Sequence, residues 1–146
     1  MKMIPLYSCS LVRDANVKTK TKIMAGGREA ADIFRAVIGD ADREHFCVAA
    51  LDARRKVIGV QIVSVGTLSA SLVHPREVFK PAILLNAAAV VVCHNHPSGD
   101  PSPSAEDREC TRRLQRAGEL LGIPLADHVI IGAEASYFSF REGGIL

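Results

Sequence analysis

"AVVVCHNHPSGDPSPSAED" (residues 89–107) joins an apolar, β-branched run to a histidine pair, a proline-rich turn and the start of a helical pattern. "AVVVC" (89–93) carries no alternating polar residue, which suits a central strand covered on both faces. The strand runs directly into His94-Asn95-His96. Strand side chains repeat every two residues, so His94 and His96 leave the same face. Two imidazoles placed that way can converge on one cation. The following "PSGDPSPS" (97–104) has three prolines and one glycine in eight residues, a loop with little conformational freedom.

Asp107 joins this pair by helical spacing. From it, steps of three and four reach Cys110, Leu114, Ala117 and Leu121, an expected apolar stripe, so its carboxylate points with the buried face. An unpaired carboxylate there would cost several kcal/mol, a cost that a cation removes. The same four residues, "SAED" (104–107), also read as a capping box with Ser104 as N-cap. Glu106 and Glu109 fall on polar faces. Two imidazoles, one carboxylate and an open fourth position are the ligand set of a catalytic zinc, expected here at one Zn2+ per chain.

Outward from this segment the elements alternate. "REAADIFRAVIGD" (28–40) has helical apolar spacing with Gly39 as its stop. "HFCVAALD" and "KVIGVQIVSVG" are β-rich runs across the charged turn "DARRK", which reads as a hairpin. "HPREVFKPAILLNA" is helical, with Pro75 in its first turn and Pro81 predicting a kink or broken start. A further helix is expected from Ser104 to about Leu121, then short strands at "HVIIG" and "YFSF". "IPLYSCSLVRD" (4–14) reads as an N-terminal strand, so residues 1–26 are taken as strand and connector and residues 27–146 as the domain. The fold class is α/β with a mixed sheet.

Composition bounds the rest. The 146 residues are 48% hydrophobic and 23% charged, enough for one domain with a real core. A formal charge of +2 without a basic run argues against general attraction to nucleic acid, and "RRLQR" (112–116) reads as a solvated helix face. No membrane span and no secretory signal are legible, so a cytoplasmic protein is expected. Cys9, Cys47, Cys93 and Cys110 form no CxxC pair, and neither a disulfide framework nor thiolate-held zinc is expected.

Zinc with an open position makes an activated water available near neutral pH. Hydrolysis then needs a base and an oxyanion donor. Ser104 is placed to offer a hydroxyl. Glu44, which opens "EHFCVAAL", is the best base.

His94-x-His96, seven residues, Ser104, two residues, Asp107 resembles the H-x-H-x7-S-x2-D signature of JAMM (MPN-type) metalloproteases. More narrowly, "SVGTLSASLVHPREVFKPA", "HNHPSGDPSPSAED" and "DHVIIG" resemble the bacterial RadC-type proteins from about Gly27 to Leu146. The resemblance implies a three-layer α/β/α fold similar to the cytidine deaminases. It also implies zinc on His94, His96 and Asp107, Glu44 as general base, and Ser104 supporting the tetrahedral intermediate. Members of full length carry an N-terminal helix-hairpin-helix region, for which no room is expected here. The expected partner is therefore a peptide or protein substrate, with no membrane, and with nucleic acid not expected without an additional domain. A DNA-repair accessory module is the alternative. A zinc deaminase would need H-x-E and P-C-x-x-C, which are absent. His74 and His128 read as structural, His45 as exposed or structural, Cys93 as core, and Asp100 as a turn former.

Overall fold

A computed structural model describes residues 1–66 and 73–146; residues 67–72 of the RadC-like stretch 64–82 lie outside them. β1 (His45–Leu51) and β2 (Val57–Val65) form the expected hairpin, and β3 (Ala89–Asn95), β4 (Leu125–Ile131) and β5 (Tyr137–Ser139) complete a sheet in the order β2-β1-β3-β4-β5. β3 lies in the middle, antiparallel to β1 and parallel to β4. Its apolar run is explained by position, since every residue from Val90 to Asn95 is buried.

Period two along the strands divides the core into two layers. Cys47, Ala49 and Leu51 of β1 and Val91 and Cys93 of β3 face helix α1 (Gly27–Ile38), which supplies Ala30, Ala31, Ile33 and Phe34. Phe46, Val48, Val90 and Val92 face the other way, against Val78, Phe79 and Ala82 of α2 (Pro75–Leu84) and Cys110 and Leu114 of α3 (Ala105–Leu121). The result is the three-layer α/β/α fold. Fully burying one of the larger side chains, such as Phe34, Phe46 or Phe79, contributes about 1.5–3 kcal/mol, so both layers add to the stability of the sheet.

Three local expectations change. Residues 4–14 form no strand: they pair with no other segment among the described residues and are exposed throughout. A strand needs a hydrogen-bonded neighbour, and the chain first meets the sheet at Ile23, which bridges Lys56, followed by the fully buried Met24. The helix α2 neither starts after Pro81 nor stops there. The carbonyl that lacks a donor because of Pro81 belongs to Glu77, on the exposed side of the helix, where water can serve it. Finally, Leu121 is 47% exposed, and Gly118 takes its place in the buried stripe. A Cβ at Gly118 would stand 2.5 Å from the Ile123 carbonyl, so this close approach needs glycine.

β3, α3 and β4 form a β-α-β unit in which the strand ends and the helix begins on the same edge. That edge of a parallel pair, beyond the carboxyl ends of its strands, is where such sheets place their sites.

Candidate metal centre

His94 is the last-but-one residue of β3, and His96 follows the strand by one residue. The alternation that puts Val90 and Val92 under α2 and α3 puts His94 there too, and Cys93 on the α1 face. The loop 97–103 then turns the chain back into α3. Gly99 makes this possible at φ +91°, and its N–H donates to the His96 carbonyl. The loop is pinned from the side by Gly132, where a Cβ would meet the Gly99 carbonyl at 2.5 Å. Ser104 caps α3 and brings Asp107 over the strand end.

The three side chains meet. His94 Nε2 lies 3.0 Å from His96 Nε2 and 3.1 Å from Asp107 Oδ1, and His96 Nε2 lies 3.2 Å from Asp107 Oδ2. Ligand atoms on a tetrahedral zinc with bonds of about 2.0–2.1 Å stand about 3.3 Å apart. The donor set and its spacing fit a small divalent cation, and among the described residues this is the cluster able to hold one.

Electrostatics agree with the geometry. Burial alone would raise the Asp107 carboxyl, but the His94 and His96 rings against it and the Ser104 N–H outweigh that and hold the group well below the usual carboxylate range. The bond to Asp107 raises His96 against its partial burial, and the Glu44 charge adds to that rise. Asp107 therefore stays an anion, as a metal ligand must.

Each ring is also held from behind. His96 Nδ1 lies 2.7 Å from the Asp100 carbonyl, which can only accept; Nδ1 therefore carries a proton, and Nε2 is the nitrogen left to face a cation. His94 Nδ1 lies 2.8 Å from Nε2 of His128, a fully buried ring stacked on Phe140. Phe46 stacks on His94 at 5.9 Å between centroids.

Glu44 stands half-buried immediately before β1, which begins at His45. Phe46 pairs with His94 across β1 and β3, and continuing that register places Glu44 across from His96. Asn95 fixes this end of β1: its Oδ1 accepts the His45 N–H at 2.6 Å, and its Nδ2 donates to the Arg43 carbonyl at 2.9 Å. The two bonds flank Glu44 on either side. Ser104 Oγ accepts the Asp107 N–H at 3.0 Å, which leaves its own O–H to donate.

The remaining expectations fall into place. His74 caps α2, accepting the Arg76 N–H at its Nδ1, and His45 bonds the Arg43 carbonyl. Asp100 shapes the turn through its side chain, accepting the Ser102 N–H. Sequence reasoning passed over Asn95 and Thr111 and took His128 as structural. Asn95 lies between the two candidate ligands, and the "DH" that opens "DHVIIG" marked His128, but neither signal states what the side chain touches.

A RadC-like JAB domain family model matches residues 24–145. A UPF0758 protein of Rubrobacter xylanophilus is 51% identical over 124 residues, covering 85% of this chain and 54% of the relative. UPF0758 proteins of Symbiobacterium thermophilum and Thermotoga maritima are 59% and 55% identical over 103 and 105 residues. The chain covers 70% and 72% of itself in those two matches and 44% and 47% of the relatives, so it spans about half the length of the curated relatives it matches. No helix among the described residues is long and apolar enough to cross a membrane. With that match running from the first buried residue, Met24, almost to the end, the chain belongs to the RadC-like JAB domain family.

Proposed function

We propose that this domain is a zinc-dependent hydrolase of peptide or isopeptide bonds. The observation that carries the reading is the convergence of His94, His96 and Asp107 within 3.0–3.2 Å. When bound, a divalent cation supplies Lewis-acid polarisation and a water acidic enough to give up its proton near neutral pH. The chain supplies the remainder.

Glu44 takes the proton from the attacking water and passes it to the leaving amine. The Ser104 hydroxyl donates to the oxygen that becomes negative at the tetrahedral stage. The dense hydrogen bonding behind each ring keeps the ligands from reorganising as charge develops.

Zinc-loaded protein is incubated with a mixed peptide library, and new termini are counted by mass spectrometry beside metal content. Chelator-sensitive cleavage is expected, with His96→Ala losing both zinc and cleavage, and Glu44→Gln keeping zinc and losing cleavage. Cleavage that survives in Glu44→Gln removes the base, and equal zinc in wild type and His96→Ala removes the centre.

A further inference from the structure

The two rings of the cluster are anchored in different ways. A backbone carbonyl behind His96 can only accept, so it dictates where the proton sits. Behind His94 stands another imidazole, which could donate or accept at Nε2. If His128 donated there, His94 would carry its own proton on Nε2 and turn an N–H, instead of a lone pair, toward Asp107 and His96.

What decides the matter lies one bond further. Thr111 Oγ1 is 2.6 Å from His128 Nδ1 and 2.7 Å from the carbonyl of Asp107, one turn earlier in α3. A hydroxyl has one proton. The carbonyl has none to give, so the Thr111 O–H must point at it; otherwise two oxygens would face each other at 2.7 Å with no proton between them. Thr111 Oγ1 can then only accept from His128, whose Nδ1 must carry the proton. A neutral ring with its proton on Nδ1 has a lone pair on Nε2, and that lone pair accepts from His94 Nδ1–H. A doubly protonated His128 is opposed by its place in the core, fully buried between Phe46 and Phe140, with Asp127 turned away to Ser139 and Arg141.

We propose that Thr111 and His128 form a tautomer lock: a chain of hydrogen bonds from the Asp107 carbonyl through Thr111 and His128 that holds the His94 proton on Nδ1 and keeps its Nε2 open to a divalent cation. Both are positioning residues, and neither touches the cation or the substrate. The lock rests on the reading that a cation sits among His94, His96 and Asp107. It also closes a loop, since the carbonyl that starts the chain belongs to the residue whose carboxylate ends it. Packing alone would have been met by an apolar residue at position 128. Outer partners of a ligating imidazole are worth about 10–100-fold in metal affinity.

Two measurements test it, with zinc itself as the probe. Long-range 1H–15N spectra of the metal-free wild type report which nitrogen of His128 is protonated; Nδ1–H is expected, and Nε2–H overturns the lock. Zinc affinity is then measured by chelator competition in wild type, Thr111→Val, Thr111→Ser and His96→Ala, beside thermal midpoints. Thr111→Val keeps the shape but removes the acceptor, so His128 is expected to move its proton to Nε2 and zinc affinity to fall about 10–100-fold. Thr111→Ser keeps the hydroxyl and is expected to bind as wild type does. Wild-type affinity in a folded Thr111→Val overturns the lock while leaving the centre intact. A wild type that binds zinc no better than His96→Ala overturns the centre itself, and the 15N spectrum then judges the lock without it.

Discussion

Ser104 and Asp107 hold each other twice: Ser104 Oγ accepts the Asp107 N–H at 3.0 Å, and Asp107 Oδ2 accepts the Ser104 N–H at 2.9 Å. The capping box and the metal-facing carboxylate are thus one structure. The carboxylate has enough lone pairs to serve the helix end and face both imidazoles, and the cap is what aims it. Asp107→Asn tests the division of labour, because the amide oxygen can still accept the Ser104 N–H. Helix content by circular dichroism should stay unchanged while zinc falls from about one ion per chain to a small fraction, since an anionic ligand is gone.

Removing the other half of the box has a different signature. Ser104→Ala leaves the carboxylate in place but removes the acceptor for the Asp107 N–H, which should cost about 1 kcal/mol in chemical denaturation. Zinc should still bind, and cleavage should drop because the oxyanion donor is lost.

Asn95 ties β1 to the end of β3 on both sides of Glu44. Asn95→Ala leaves the His45 N–H and the Arg43 carbonyl without that partner, so stability should fall by about 1–3 kcal/mol. Zinc content should hold. A base displaced by about 1 Å costs up to about 100-fold in rate, so turnover should suffer far more than metal binding. A variant that lost zinc and kept its rate per bound ion would show that Asn95 serves the ligands instead.

Burial pushes the thiols of Cys47 and Cys110 up to about 12 and Cys93 well above its ordinary value, while Cys9 is exposed. A raised thiol pKa keeps the neutral form as pH climbs. At pH 8 the thiolate fraction of Cys47 or Cys110 is about one in 10⁴. A thiol reagent at pH 8 should therefore label one cysteine per native chain, Cys9, and four after denaturation. Rapid labelling of a second site in folded protein would contradict the packing described for both core layers.

Asp127 lies next to His128, and its carboxylate bonds Ser139 and the backbone. Burial raises its carboxyl, and the group accepts from the Ser139 hydroxyl and from the backbone N–H groups of His128 and Arg141. Asp127→Ala strands these three donors and should cost about 2–4 kcal/mol in urea or thermal unfolding. Metal affinity should change little in whatever fraction remains folded.

Much of this molecule was legible in one dimension. The unbroken apolar run 89–93 marked a covered strand, the charged turn 52–56 marked a hairpin, and the glycines after α1 and α3 marked their ends. His94, His96 and Asp107 were also readable, because strand and helix periods are local rules that tell which face a side chain leaves. The strand expected at 4–14 was not decided locally, since a strand exists only with a neighbour to bond and none of the described residues pairs with it. Glu44 could be nominated from its place before a β-run, yet only the β1–β3 register sets it opposite His96. The chain through Thr111 and His128 lay beyond any reading of spacing. Its members are 17 residues apart, on a helix and a strand, and meet only because α3 lies across the sheet beside β4. Periodicity says where a side chain points; which donor finds which acceptor is settled only when separate elements are packed together.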